Sequence, residues 1–105
     1  MQTVTYRLVT IIVERVFRDR LLASVHAMGA TGHTIVDVRG EGTRHAAGSR
    51  EAASVKIETI VPPDVAERIV EHVAASYFEH HSAIVYVQDV EVVRGSKYAP
   101  QNTSV

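Results

Sequence analysis

Gly32-His-Thr-Ile-Val-Asp-Val-Arg-Gly-Glu-Gly42 reads as a short strand with a glycine ahead of it and a Gly-x-Gly turn at its far end. Thr43 and Arg44 follow that turn at once, and a polar stretch containing Gly, Ala and Ser runs on to about Ala53. Backbone amides exposed in such a turn form a concave nest for anions, and a neighbouring guanidinium adds fixed charge. A Gly-x-Gly pair by itself is only a tight turn. Its meaning comes from the elements on either side.

Upstream, Val4-Thr-Tyr-Arg-Leu-Val-Thr-Ile-Ile-Val13 alternates at first and is continuously apolar at its end. That pattern predicts a central strand buried on both faces toward its end. From Glu14 to Met28 the period changes, with Phe17, Leu21, Val25 and Met28 at helical spacing and Arg15, Arg18, Asp19 and Arg20 largely opposite. Gly29 stops this helix in the left-handed conformation, and Thr34 to Arg39 is the second strand.

Downstream, Ser54 to Val61 alternates cleanly, with Val55, Ile57, Thr59 and Val61 on one face and Lys56, Glu58 and Ile60 on the other. Pro62-Pro63-Asp64 ends that strand and opens a helix, with Asp64 and Glu67 at the offset of a capping box. The helix runs to about Phe78, its stripe formed by Ala66, Ile69, Val70, Val73, Ala74 and Tyr77. Ala83 to Val93 predicts a last strand, bent or divided near Gln88-Asp89, and the composition from Gly95 onward predicts a tail.

The order is β-α-β-loop-β-α-β, a single α+β domain over residues 1–105 with the ferredoxin-like βαββαβ arrangement. Two helices on one face leave the other uncovered. Ile60 and the apolar end of the first strand argue against a wholly solvated second face, so oligomerisation is expected.

A length of 105 residues allows one modest core. Hydrophobic residues at 46% and charged residues at 22% are ordinary for a soluble globular protein. A net charge of −1 supplies no basic field for nucleic acid. The absence of cysteine excludes disulfides, thiolate catalysis and cysteine-ligated zinc, and is compatible with a cytoplasmic location. Met1-Gln-Thr-Val-Thr-Tyr-Arg7 lacks the layout of a signal peptide. No apolar run approaches the roughly 18 residues of a membrane span, so contact with a membrane is expected only through a partner.

The segment Gly32–Gly42 resembles the PII signalling-protein pattern Gly-x-Thr-x-x-x-Val-[Arg/Lys]-Gly-x-Gly that leads into the T-loop. Lys56-Ile-Glu-Thr-Ile-Val-Pro-Pro-Asp64 is similar to the PII strand-to-helix segment after that loop, here about residues 40–53. Two departures matter. Phe78-Glu-His-His-Ser82 stands where PII proteins proper carry a glycine-rich loop with a phosphate-binding lysine, and the T-loop is short and lacks a tyrosine. Ala75 to Gly95 looks instead like the PII-like proteins tied to inorganic carbon: the SbtB-type partners of the sodium-dependent bicarbonate transporter and the carboxysome-associated PII proteins. Gly40-Glu-Gly-Thr-Arg44 is similar to their Gly-x-Gly-Ser-Arg turn. The cysteine-closed loop that some SbtB-type proteins carry is missing, so its nucleotide hydrolysis is not implied.

The resemblance implies a homotrimer with inter-subunit clefts for AMP, ADP, ATP or cyclic AMP, bicarbonate being a further ligand, and a bicarbonate transporter or carbon-concentrating protein as partner. By position, Gly32 and Thr34 line the base and ribose side. Gly40, Glu41, Gly42, Thr43 and Arg44 wrap the phosphate end, Glu58 and Ile60 face the cleft, and Arg94-Gly95 closes it. The nucleotide phosphate would then control the loop at 40–53, and through it the docking of the partner.

Some residues keep two readings. Arg44 is a solvated loop arginine or, with the family pattern, a bidentate phosphate clamp. Glu58 accepts from adenine or ribose, or pairs with Lys56 or a neighbouring subunit's arginine. Arg50 reaches an anion or stays in solvent. Six histidines raise a metal alternative, a trimer resembling the CutA copper-tolerance proteins. However, His72 and His80 are eight apart, not the four that brings two imidazoles together on a helix, so no metal ligand is assigned. No paired carboxylates or Ser/His/Asp spacing point to a water-activating group, and no catalytic residue is expected.

Overall fold

The computed structural model describes residues 2–40 and 53–98. The long β-branched run forms β1 (Val4–Glu14), followed by a single 3-10 turn (Arg15–Phe17), α1 (Arg18–Ala27) and β2 (Thr34–Val38). The second half supplies β3 (Ser54–Val61), α2 (Pro63–Tyr77), β4 (Ala83–Val92) and a second 3-10 turn (Gly95–Lys97). The four strands form one sheet in the order β2-β3-β1-β4, every neighbouring pair antiparallel. Two βαβ units interleave, which is the ferredoxin-like arrangement that the order of elements predicts.

The core lies between the sheet and the helices. Val9, Ile11 and Val13 of β1 and Val55, Ile57 and Val61 of β3 meet Leu21 and Val25 of α1 and Val65, Ile69, Val73 and Tyr77 of α2. Thr10, between Val9 and Ile11 and on the opposite face, is also buried, as expected of a central strand. α1 ends in a Schellman motif. The Ala30 amide donates to the Val25 carbonyl at 3.2 Å, the Gly29 amide donates to that of His26 at 3.1 Å, and Gly29 has φ 122°.

Four local expectations need correction. The first helix begins at Arg18 rather than Glu14, because residues 14 and 15 are still tied to the sheet. The Glu14 carboxylate accepts from the Ser82 amide at 3.1 Å, the Arg15 amide donates to Ala53 at 2.9 Å, and the Arg15 guanidinium pairs with Asp37 at 2.9 Å. α2 carries no capping box: its N-cap is Pro62, and Asp64 lies inside the first turn, 3.6 Å from Arg68. β4 is unbroken, keeping one register with β1 from Val4↔Val92 to Val13↔Ala83. Gln88-Asp89 sits in an edge strand, where polar residues are tolerated, and Asp89 pairs with Arg7 at 2.7 Å. Finally, the start of the expected tail folds back: Thr31 Oγ1 donates to the Lys97 carbonyl at 3.1 Å, and the Tyr98 ring meets that of Tyr6 edge-on at 6.3 Å.

The sheet face away from the helices is left open. Val36, Ile84 and Tyr86 on it are 44%, 53% and 45% exposed, apolar side chains that the other described residues leave uncovered.

Candidate functional site

At one margin of that open face β1, β2 and β3 come together. Register places Leu8 beside Ile60 and Thr34 beside Glu58, so these four side chains share a face. The α1–β2 connection, Thr31-Gly32-His33, walls one side, and the folded-back Lys97-Tyr98 walls the other. The result is a cleft of about 390 Å³, within the usual range for a small-molecule site.

Local contacts hold both walls in place. Thr59, buried at the end of β3, donates from Oγ1 to the Gly32 carbonyl at 2.6 Å, fixing the connection to the sheet. Gly95 begins the second 3-10 turn so close to β1 that a Cβ there would come within 2.7 Å of Val4 Cγ2. A side chain there would have to displace Val4 or lift the turn, which carries Lys97 and Tyr98 to the cleft. The Lys97 ammonium lies 5.6 Å from the centroid of the Tyr98 ring.

The chemistry of the lining is mixed in a useful way. Leu8 and Ile60 give an apolar floor for a planar ring. Glu58 is a half-buried carboxylate that forms no ion pair among the described residues, and so offers acceptors to hydroxyl or amino groups. Thr34 adds a hydroxyl, and Lys97 adds a cation. At Gly32 an added methyl would meet nothing within 4 Å, and φ is not positive. Packing among the described residues therefore does not call for glycine there, whereas a ligand passing close to the backbone would.

Of the residues expected from sequence, the structure brings Gly32, Thr34, Glu58 and Ile60 together in this cleft. Gly40 lies beyond the end of β2, exposed and outside the lining, and Arg94 and Gly95 form the root of the turn rather than the wall. Glu41, Gly42, Thr43 and Arg44, with Arg50, lie outside the described residues. Sequence reasoning missed Leu8, Thr31, His33, Thr59, Lys97 and Tyr98. Only Lys97-Tyr98 left a signal, a long cation and an aromatic ring in an otherwise small and polar tail.

No group of three or more His, Asp or Glu side chains able to hold an ion is gathered among the described residues. His80 lies 3.7 Å from Glu79, His81 lies 4.0 Å from Glu14, and His72 faces Ser76. Among the described residues, no helix is long and apolar enough to cross a membrane.

Residues 6–97 match the family model for nitrogen regulatory protein P-II. Among solved structures, a PII-like signalling protein from Thermus thermophilus is 40% identical over 94% of this chain and 100% of its own, with a TM-score of 0.81. The CPII protein of Thiomonas intermedia, bound to ADP and bicarbonate, is 25% identical over 92% of this chain and 97% of its own, with a TM-score of 0.81. The same protein bound to ADP, AMP and bicarbonate matches at 26% identity over 89% of this chain and 98% of its own, with a TM-score of 0.77.

Proposed function

The chain belongs to the nitrogen regulatory protein P-II family, and on that premise we propose that it is a non-catalytic sensor of adenine nucleotides. Its ligand would be AMP, ADP, ATP or cyclic AMP, with bicarbonate as a co-ligand. The observation that carries this reading is the convergence of Gly32, Thr34, Glu58 and Ile60 on one cleft of ligand size. The ADP and bicarbonate of the CPII structures give the ligand class.

The base would lie over Leu8 and Ile60, and Glu58 and Thr34 would take the amino or ribose groups. The phosphates would extend toward Gly40 and the segment through Glu41, Gly42, Thr43 and Arg44, where amides and a guanidinium stabilise negative charge. Arg94 and Gly95 would set the far wall.

The open sheet face adds a second element of the proposal. P-II family proteins form homotrimers, and the exposed Val36, Ile84 and Tyr86 give this chain an apolar surface to bury against its copies. The cleft lies at the margin of that same face, so a neighbouring subunit would complete it. Nucleotide exchange would then alter the 40–53 loop, which would present one surface or another to a partner. The resemblance of Ala75–Gly95 to inorganic-carbon PII proteins favours a bicarbonate transporter or a carbon-concentrating protein as that partner, in the cytoplasm.

Calorimetric titration of the purified protein with the four nucleotides, with and without bicarbonate, tests the reading. Micromolar binding that Arg44→Ala abolishes is the expected outcome. A folded trimer that binds none of the four would refute it.

A further inference from the structure

Among the described residues, the Thr10 hydroxyl is the only buried side-chain polar atom without a hydrogen-bond partner. The residue is 0% exposed, so bulk water does not serve it either. A buried hydroxyl left unpaired costs stability. Valine has the same shape, carries no hydroxyl and suits a strand at least as well. From Leu8 to Val13, Thr10 is the one polar residue of an otherwise apolar stretch of β1. A hydroxyl in that place calls for a partner.

Register identifies its neighbours. Thr10 stands opposite Glu58 of β3 on one side and Tyr86 of β4 on the other, on the sheet face that carries the cleft. Glu58 in turn stands opposite Thr34 of β2, so one row crosses the sheet as Thr34, Glu58, Thr10 and Tyr86. Side chains paired in this way have Cβ atoms about 5 Å apart. A carboxylate on a flexible chain can reach a hydroxyl across that distance. Tyr86 cannot do the same, because its rigid ring carries the phenol oxygen well beyond a neighbour in register. Glu58 lines the cleft, is half-buried and forms no ion pair among the described residues. Thr10 is not part of the lining, but it lies next to Glu58 and two residues from Leu8 of the floor.

An ionised carboxylate only accepts, and it has two oxygens to satisfy. A ligand resting on Leu8 and Ile60 would strip water from Glu58, and a desolvated carboxylate needs donors close by. A ribose hydroxyl can serve one oxygen from the cleft. The Thr10 hydroxyl stands on the β1 side to serve the other, in a charge-assisted bond.

We propose that Thr10 is a positioning residue of the ligand site: with a nucleotide in the cleft, its hydroxyl donates to one oxygen of Glu58 and turns the other toward the ribose. This rests on the nucleotide reading of the cleft. The unpaired hydroxyl is a cost that the nucleotide-free protein bears and the complex does not, so relieving it adds to affinity. Stability without ligand is given up for tighter binding with it.

Two measurements test the proposal: calorimetric titration with ADP, and denaturant unfolding of the nucleotide-free protein. The proteins compared are wild type, Thr10→Val, Thr10→Ser, Glu58→Ala and the double variant Thr10→Val with Glu58→Ala. Without nucleotide, Thr10→Val is expected to be at least as stable as wild type. It should nevertheless bind ADP about tenfold more weakly, the worth of a hydrogen bond to a charged group. Thr10→Ser keeps the hydroxyl and should keep most of the affinity. In the Glu58→Ala background, Thr10→Val should change ADP affinity by less than about twofold, since the group it acts through is gone. Thr10→Val binding ADP as wild type does, or an equal loss in both backgrounds, overturns the proposal while the nucleotide reading stands. So does a nucleotide-free Thr10→Val that is less stable than wild type, because the hydroxyl would then already be paired. If Glu58→Ala binds too weakly to titrate, the single variants at Thr10 decide. Absence of ADP binding to folded wild type overturns both readings.

Discussion

Thr59 and Gly95 show how single residues place the cleft walls. The Thr59 hydroxyl is buried and its bond to the Gly32 carbonyl is 2.6 Å long. Thr59→Val keeps the shape and removes the donor, so denaturant unfolding is expected to show a loss of about 1 kcal/mol. ADP affinity should fall with it as Gly32 is released. Gly95→Ala would press a methyl into Val4, a clash of the kind that costs about 1–3 kcal/mol when it cannot relax. Here the turn can instead lift from β1, so a smaller loss of stability with weaker ADP binding is expected from calorimetry on the variant. Neither role was readable in the sequence. Thr59 looked like one more inward residue on an alternating strand, and Gly95 looked like the start of a tail, because the partners of both are distant along the chain.

At the scale of elements, the sequence carried the strands and helices well and their ends poorly. Alternation in Ser54–Val61 is a local property and reproduces the burial of β3 residue by residue. Helix ends depend on what the neighbouring strand holds. The ties of Glu14 and Arg15 to Ser82, Ala53 and Asp37 delay α1 by one 3-10 turn, and no periodicity contains those partners. The start of α2 makes a testable contrast. A side-chain cap is worth about 1 kcal/mol, whereas Asp64 acts only through the helix dipole and its exposed i,i+4 pair with Arg68. Asp64→Ala should therefore cost about 0.5 kcal/mol in thermal unfolding, and Glu67→Ala should cost almost nothing. A loss of more than about 1 kcal/mol at both positions would point to the reciprocal cap instead.

For the whole molecule, the proposed assembly gives one sheet face two jobs: Val36, Ile84 and Tyr86 would pack on other subunits, and the cleft lies at its margin. Four of the ten residues that line the cleft, Gly32, Thr34, Glu58 and Ile60, were expected, and from the PII resemblance rather than from the strand pattern alone. Others come from the fold-back of Lys97-Tyr98 and from β1, which only the sheet order brings near. Tyr86→Asp puts a charge among the apolar side chains of the open face, and light scattering should show the trimer of 11.5 kDa chains giving way to monomer. Binding of ADP should be lost together with assembly. In the proposed reading this cleft, completed by a neighbouring subunit, holds the nucleotide. A crystal structure of the protein grown with ADP tests it most directly. The expected result is ADP between two subunits of a trimer, its base over Leu8 and Ile60 and its ribose beside Thr34 and Glu58. ADP bound elsewhere on a trimer whose clefts stay empty would rule this site out.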